Sequence, residues 1–272
     1  MRRVDLAFSL AAALLLSLFG CAGSGQGAPG AIGQQALSQQ QAANYSQPAQ
    51  AGAAGNAANG GAGGAGAQAG AAGGNADAPA ELQFAEWKAP DGSITLQLPQ
   101  GWAASERQVD TCTVSWAARD SSGTGSAFMN NQVMVLKSEG ARQMYKSYGM
   151  AGIDGFPVSG YLPPEQALSQ VVAPLSGATN VQVASRDAAL GQQLSGALCT
   201  PGLAACSVGA FDAAFDYRGV RMHGRYFVQT HDFGEGTTWW INLWGYEAPE
   251  AGWETTSPIA GKIFASANYT EG

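Results

Sequence analysis

Charge is scarce in this chain and unevenly spread. Only 12% of the 272 residues are charged, and between Ala22 and Ala80 the one charged side chain is Asp77. Histidine is scarcer still: there are two, and four cysteines. These shortages exclude whole classes of chemistry. No GxSxG turn presents a serine nucleophile. No second CxxC or nearby histidine completes a tetrahedral metal set around a cysteine. No phosphate loop or dinucleotide fingerprint is present, and the Gly-rich tract at 51–75 is not a cradle before a helix. The chain therefore reads as a non-enzyme with no cofactor and no metal ion. Long apolar runs are also missing. The longest, Leu6 to Phe19, falls short of the roughly 20 residues needed to span a bilayer as a helix.

That run has another meaning. Arg2 and Arg3 precede it, and small Gly20 follows it, directly before Cys21. This order is that of a secretory signal peptide, which takes no part in the fold. Leu18-Phe19-Gly20-Cys21 resembles the lipobox of bacterial lipoproteins. The resemblance implies cleavage before Cys21, acyl chains on its thiol and amine, and a stable membrane anchor, since two or three chains hold where one is marginal. Residues 1–20 are then the leader. Ala22 after the cysteine favours the outer membrane if the host has two.

Residues 21–80 form the second segment, the cysteine followed by a tract of Ala, Gly, Gln and Asn. Such a composition buries too little apolar area to offset the entropy of ordering. As a coil of this length it spans on the order of 40 Å, about 5–6 Å times the square root of its length. Cysteine and tract read as anchor and leash.

Residues 81–272 read as one folded domain. They carry 11 Lys/Arg and 18 Asp/Glu, so the domain is acidic and nucleic acid is excluded as a partner. SITLQL alternates with period two and predicts a strand; TCTVSWAA, FMNNQVMVLK and NVQVASR predict three more. EGARQMYKSYG predicts a short helix, and PPEQALSQVVAPL a longer one begun by its prolines. VGAFDAAFDY, VRMHGRYFVQTHDF and TTWWINLWGYEA predict an antiparallel meander, with turns at Arg218-Gly219 and Gly234-Glu-Gly236. Within the last strand, Trp239, Ile241 and Leu243 alternate with Trp240, Trp244 and Tyr246, so both faces of the sheet are expected to be covered. SPIAGKIFASANY predicts a closing helix. Cys199 and Cys206 flank a Pro-Gly turn and are expected to pair, and Cys112 reads as a buried small hydrophobe. The fold class is thus α+β: an antiparallel sheet flanked by helices on both faces, an α/β/α sandwich.

The opening of the domain carries a family resemblance. Trp87, Pro90-Asp91-Gly92, the alternating Ile94, Leu96 and Leu98, then Pro99-Gln-Gly101-Trp102 resemble the first hairpin of PsbP-like domains. The resemblance implies that fold, in a group whose members serve mostly as binding or assembly modules.

One strand concentrates the candidate site residues. Arg221, His223, Arg225, Phe227, Gln229 and His231 share a face by period two. Two readings stand side by side. One is a polar groove for an anion, a small ligand, a metal ion or a partner's carboxylates. The other is a strand face whose arginines pair across strands with Asp212 or Asp216. A metal set of His231, Asp232 and Glu235 is disfavoured, because adjacent strand residues point to opposite faces. The leading functional expectation is an exported lipoprotein, tethered to a membrane through Cys21, that binds an envelope protein or supports assembly without catalysis. The alternative is a small-ligand, anion or metal-ion binding lipoprotein using the His223/His231/Arg221/Arg225 face.

Overall fold

The computed structural model describes residues 82–108, 114–199, 202–234 and 236–269. The leader, Cys21, the leash, Cys112 and Glu235 lie outside the described residues. Two antiparallel sheets organise the rest. The smaller has order β1-β2-β10, with β1 Phe84–Lys88, β2 Ile94–Pro99 and β10 Asn268–Tyr269. The larger has seven strands in the order β3-β4-β5-β9-β8-β7-β6: β3 Trp102–Gln108, β4 Val114–Asp120, β5 Ser126–Leu136, β6 Thr179–Arg186, β7 Ala205–Tyr217, β8 Val220–Asp232 and β9 Thr238–Pro249. The meander β7-β8-β9 lies adjacent as its turns predict, with Tyr217 paired to Val220 beside the Arg218-Gly219 turn.

Helices cover both faces, giving the three layers expected of a strand whose two sides are apolar. Residues 164–176 form α2, an α-helix interrupted by a π turn at Leu168–Val172. It begins on Pro164, whose missing N–H costs nothing in a first turn. Its Leu168, Val171 and Val172 pack against Trp239, Ile241, Leu243 and Val228. The opposite face receives α3 (Ala188–Leu198), α4 (Trp253–Ala265) and the small sheet, whose Ile94, Leu96, Leu194, Ile263 and Phe264 enclose Trp116, Trp244 and Phe227. On that same face α1 (Glu139–Ser147) covers a separate patch of Met134, Leu136 and Trp240.

Two elements differ from expectation. Helix α3 was not foreseen. Gly191 and Gly196 weaken its propensity, yet Gly191 lets the helix approach β7 closely, since a Cβ there would crowd the Val208 carbonyl oxygen at 3.0 Å. Asp187 starts this helix by accepting the Leu190 N–H at 3.1 Å. The closing helix begins at Trp253 rather than near Ser257, and stops at Ala265; Asn268–Tyr269 pair instead with β2. Pro258, the sixth residue of α4, lies past the first turn, so its missing N–H leaves out one hydrogen bond inside the helix.

Helix α3 also solves an edge problem. Strand β6 stops opposite Phe211, so Ala205–Ala210 of β7 extend past it. Ser195 on α3 accepts the Val208 N–H at 2.8 Å, and Asp187 donates its N–H to the Ala210 carbonyl at 3.0 Å. The helix thus takes the place of a neighbouring strand. The expected Cys199–Cys206 disulfide is present, with Cα atoms 5.6 Å apart, and it pins the end of α3 to the start of β7.

Candidate functional site

The six residues of β8 singled out by alternation do share one face, and the helices divide it. At the outer end, Arg221 forms an ion pair with Asp216 at 3.2 Å and reaches Glu250 at 3.8 Å. It also donates to the Asn180 carbonyl and to Gln182. Asp216, accepting from Asn180 Nδ2 at 2.6 Å and then from Arg221, is held below the usual carboxylate range. Arg225 binds Asp212 at 2.9 Å and Asp187 at 3.1 Å, and lies over the Phe227 ring. Both arginines are therefore engaged by carboxylates across the strands. The register explains it, since Asp212 sits opposite Arg225 and Asp216 opposite Arg221.

His223 is stacked face to face on Trp253, the first residue of α4, with ring centroids 4.3 Å apart and planes 7° from parallel. Trp253 lies parallel to Tyr246 as well, at 5.9 Å. Sequence alternation placed His223 on the right face, but the ring that covers it comes from a helix start the sequence concealed. Phe227 is buried and stacks on Phe264.

The inner end is different. Gln229, 4% exposed, donates through Nε2 to the Leu198 carbonyl at 3.1 Å and touches Cys206 Sγ at 3.7 Å. Its Oε1 accepts from Asn242 Nδ2 at 2.8 Å. His231 lies edge-on to Phe233 and directly across from Trp240. Burial depresses its pKa to about 4, only partly countered by the negative charge of Asp232. The ring is neutral near pH 7. His231 Nδ1 and Asn242 Oδ1 are buried without a hydrogen-bond partner. Asp232 points to the other face, where it pairs with Lys137 at 2.7 Å, so it and His231 do not converge. Among the described residues, no group of three or more His, Cys, Asp or Glu is placed to hold a metal ion.

Two further features went unforeseen. A cleft of roughly 390 Å³ opens between the start of α2 and the start of β7, walled by Pro163, Pro164, Gly209 and Phe211. Its Glu165 is committed to Arg186 at 2.6 Å, which lowers the Glu165 pKa. On the α2 face, Tyr226 donates to Glu247 at 2.7 Å and Ser126 to its other oxygen at 3.2 Å. Burial pushes both the carboxyl and the phenol up. Among the described residues no helix is long and apolar enough to cross a membrane.

These layers and this divided face define an α+β domain with a helix latched by a disulfide over an open sheet edge. No protein-family model and no curated protein matches the chain. Among solved structures the chain is similar to cyanobacterial PsbP (CyanoP) from Synechocystis sp. PCC 6803, of the family that the opening hairpin resembles. The identity is 10%, covering 72% of this chain and 98% of that one, with a TM-score of 0.31. It is also similar to LpqN of Mycobacterium tuberculosis, described as involved in cell envelope biogenesis, at 10% identity over 70% of this chain and 92% of that one, TM-score 0.26. A third is PA94 of Pseudomonas aeruginosa, described as a protein of unknown function and putative regulator, at 9% identity over 65% and 90%, TM-score 0.20.

Proposed function

We propose that this protein is an exported lipoprotein, anchored to a membrane by acyl chains on Cys21, whose domain binds an envelope protein or supports assembly without catalysing a reaction. The observation that carries the reading is the Cys199–Cys206 disulfide in a domain that follows an apolar leader ending on Leu-Phe-Gly-Cys. Disulfides persist in oxidising compartments outside the cytosol, so leader and domain speak for one destination. The charge-poor tract between them lets the domain range over tens of ångströms from its anchor. The candidate face of β8 favours this reading over a small-ligand site, because Arg221, Arg225 and Gln229 are already committed to partners within the domain.

In-cell crosslinking of the tagged full-length chain, with Cys21→Ser as control, tests this directly. A discrete envelope protein crosslinked to the native chain and lost with Cys21→Ser is the expected result. The same yield from both forms would contradict a role that depends on tethering.

A further inference from the structure

The two sulfurs of the Cys199–Cys206 bond stand in different surroundings. Cys199 caps the end of α3, and Cys206 lies near the start of β7. Both residues are only partly buried. Ser195 takes the Val208 N–H on the outer edge of β7, so Val208 and Gln229 form a pair without hydrogen bonds on the β8 side, where side chains approach most closely. Cys206 is the next residue of β7 on that face, and Gln229 reaches it diagonally.

Gln229 is held by three partners. The Leu198 carbonyl can only accept, so Gln229 presents its nitrogen there, at 3.1 Å. Its oxygen then accepts from Asn242 Nδ2, at 2.8 Å. An amide nitrogen carries two protons, and the second serves Cys206 Sγ, at 3.7 Å. Among the described residues no donor stands against Cys199 Sγ. A disulfide sulfur that accepts a hydrogen bond departs more readily as a thiolate, because the same donor stabilises the negative charge it gains.

We propose that Cys199–Cys206 is an exchangeable disulfide, opened by attack at Cys199 Sγ with Cys206 as the leaving thiolate, and that its opening unlatches the end of α3 from β7. The reductant is a dithiol. One of its thiolates attacks Cys199 Sγ; a new S–S bond forms there as the Cys199–Cys206 bond breaks, and the bonding pair leaves on Cys206 Sγ. The second thiol of the reductant then attacks its own sulfur in this mixed disulfide and releases Cys199. Two electrons pass from the dithiol, which ends as a disulfide, and its two protons end on the Cys199 and Cys206 sulfurs. Gln229 acts as a positioning residue on the sulfur that leaves. With the bond open, α3 keeps its buried Leu194 and Leu198, and Ser195 keeps its bond to Val208. The helix end is loosened over Ala205–Ala210, the stretch of β7 that β6 does not pair, while the sheet stays folded. This chemistry belongs to the domain itself and does not depend on the lipoprotein reading.

Thiol trapping on the full-length chain tests it. Free thiols are first alkylated with iodoacetamide. The native chain is then treated briefly with glutathione, quenched with N-ethylmaleimide and read by fragment mass spectra. The expected result is glutathione on Cys199 and maleimide on Cys206, in excess over the reverse by roughly two- to tenfold, the factor that one net hydrogen bond provides. Gln229→Met, which removes the donor, should bring the two adducts to parity; a bias kept in that variant overturns the part given to Gln229. Equal adducts in the native chain, or glutathione mainly on Cys206, would overturn the direction of attack. A bond that opens only once denaturant unfolds the chain is an inert structural link, and that result overturns the proposal outright. In the chain reduced by dithiothreitol, amide exchange should rise at Val208 while Val228 and Ile241 stay protected; unchanged exchange at Val208 overturns the latch.

Discussion

The two halves of β8 share one face, one alternation and one histidine each, yet they live in different media. In the outer half, Arg221 and Arg225 reach partly into water and are ringed by Asp216, Asp212, Asp187 and Glu250, with His223 stacked on Trp253. In the inner half, Phe227 and Gln229 are buried, and the ring of His231 stays neutral. What differs is the cover. The outer half meets the starts of α3 and α4, through Asp187 and Trp253, whereas the inner half lies beneath their ends, through Leu198 with its neighbouring disulfide and Phe264. Alternation specifies which face a residue takes; the covering element decides what the residue can do there.

Substitutions along the strand should separate the halves by size of effect. Phe227→Ala removes a ring stacked on Phe264 and should cost about 3–5 kcal/mol, the range for buried aromatic deletions, read as a lowered denaturant midpoint. Breaking the disulfide with Cys199→Ser and Cys206→Ser comes next. The loop it closes has a sequence separation of 7, for which chain entropy gives about 2–3 kcal/mol. Because the bond holds α3 on the β7 edge, amide exchange should rise first at Val208 and Asp187, whose N–H groups bond across that edge.

The pH dependence has a definite sign. His231 takes its proton near pH 4 in the folded chain, against 6.5 for an ordinary histidine. Between those values the unfolded chain binds a proton that the folded chain refuses, so stability falls as pH drops through 6.5 and levels off below about 4. The loss should be on the order of 2 kcal/mol for a partly buried ring. Glu247, raised by burial, works in the opposite sense. The His231 contribution is therefore isolated by comparing melting temperatures of the native chain and His231→Phe, whose slope over pH 6.5–4 should be shallower. The smallest effect belongs to the outer half. Arg221→Ala removes a part-exposed ion pair and should cost less than about 1 kcal/mol, diminishing further in high salt. A loss comparable to Phe227→Ala would show that the outer half is no mere ion-paired surface.

Much of this frame was legible in the residues. The period-two patterns of SITLQL and of the meander became strands, and the Pro-started run became α2, with Ala167, Leu168, Val171 and Val172 buried. The alternation of Trp239 and Trp240 was enough to require cover on both sides. Helix α3 also left a signal, since Asp187 as N-cap and Leu190, Leu194 and Leu198 at helical spacing precede Cys199, but its two glycines obscured it. The start of α4 was hidden by Thr255, Thr256 and Pro258, poor helix formers whose placement on Trp253 and its contact with His223 is a tertiary matter. The unpartnered Asn242 oxygen could not be read at all. It arises because one backbone carbonyl, Leu198, dictates the direction of two side-chain amides in series.

Everything proposed about where this domain works depends on the fate of Cys21. The most direct measurement is the intact mass and N-terminal fragment spectrum of the protein purified from membranes of its own host. A mature chain beginning at Cys21, heavier than its sequence by a diacylglycerol with or without an amide-linked acyl chain, is the predicted result. A chain that retains residues 1–20, or that is cut elsewhere and carries an unmodified Cys21, would contradict it.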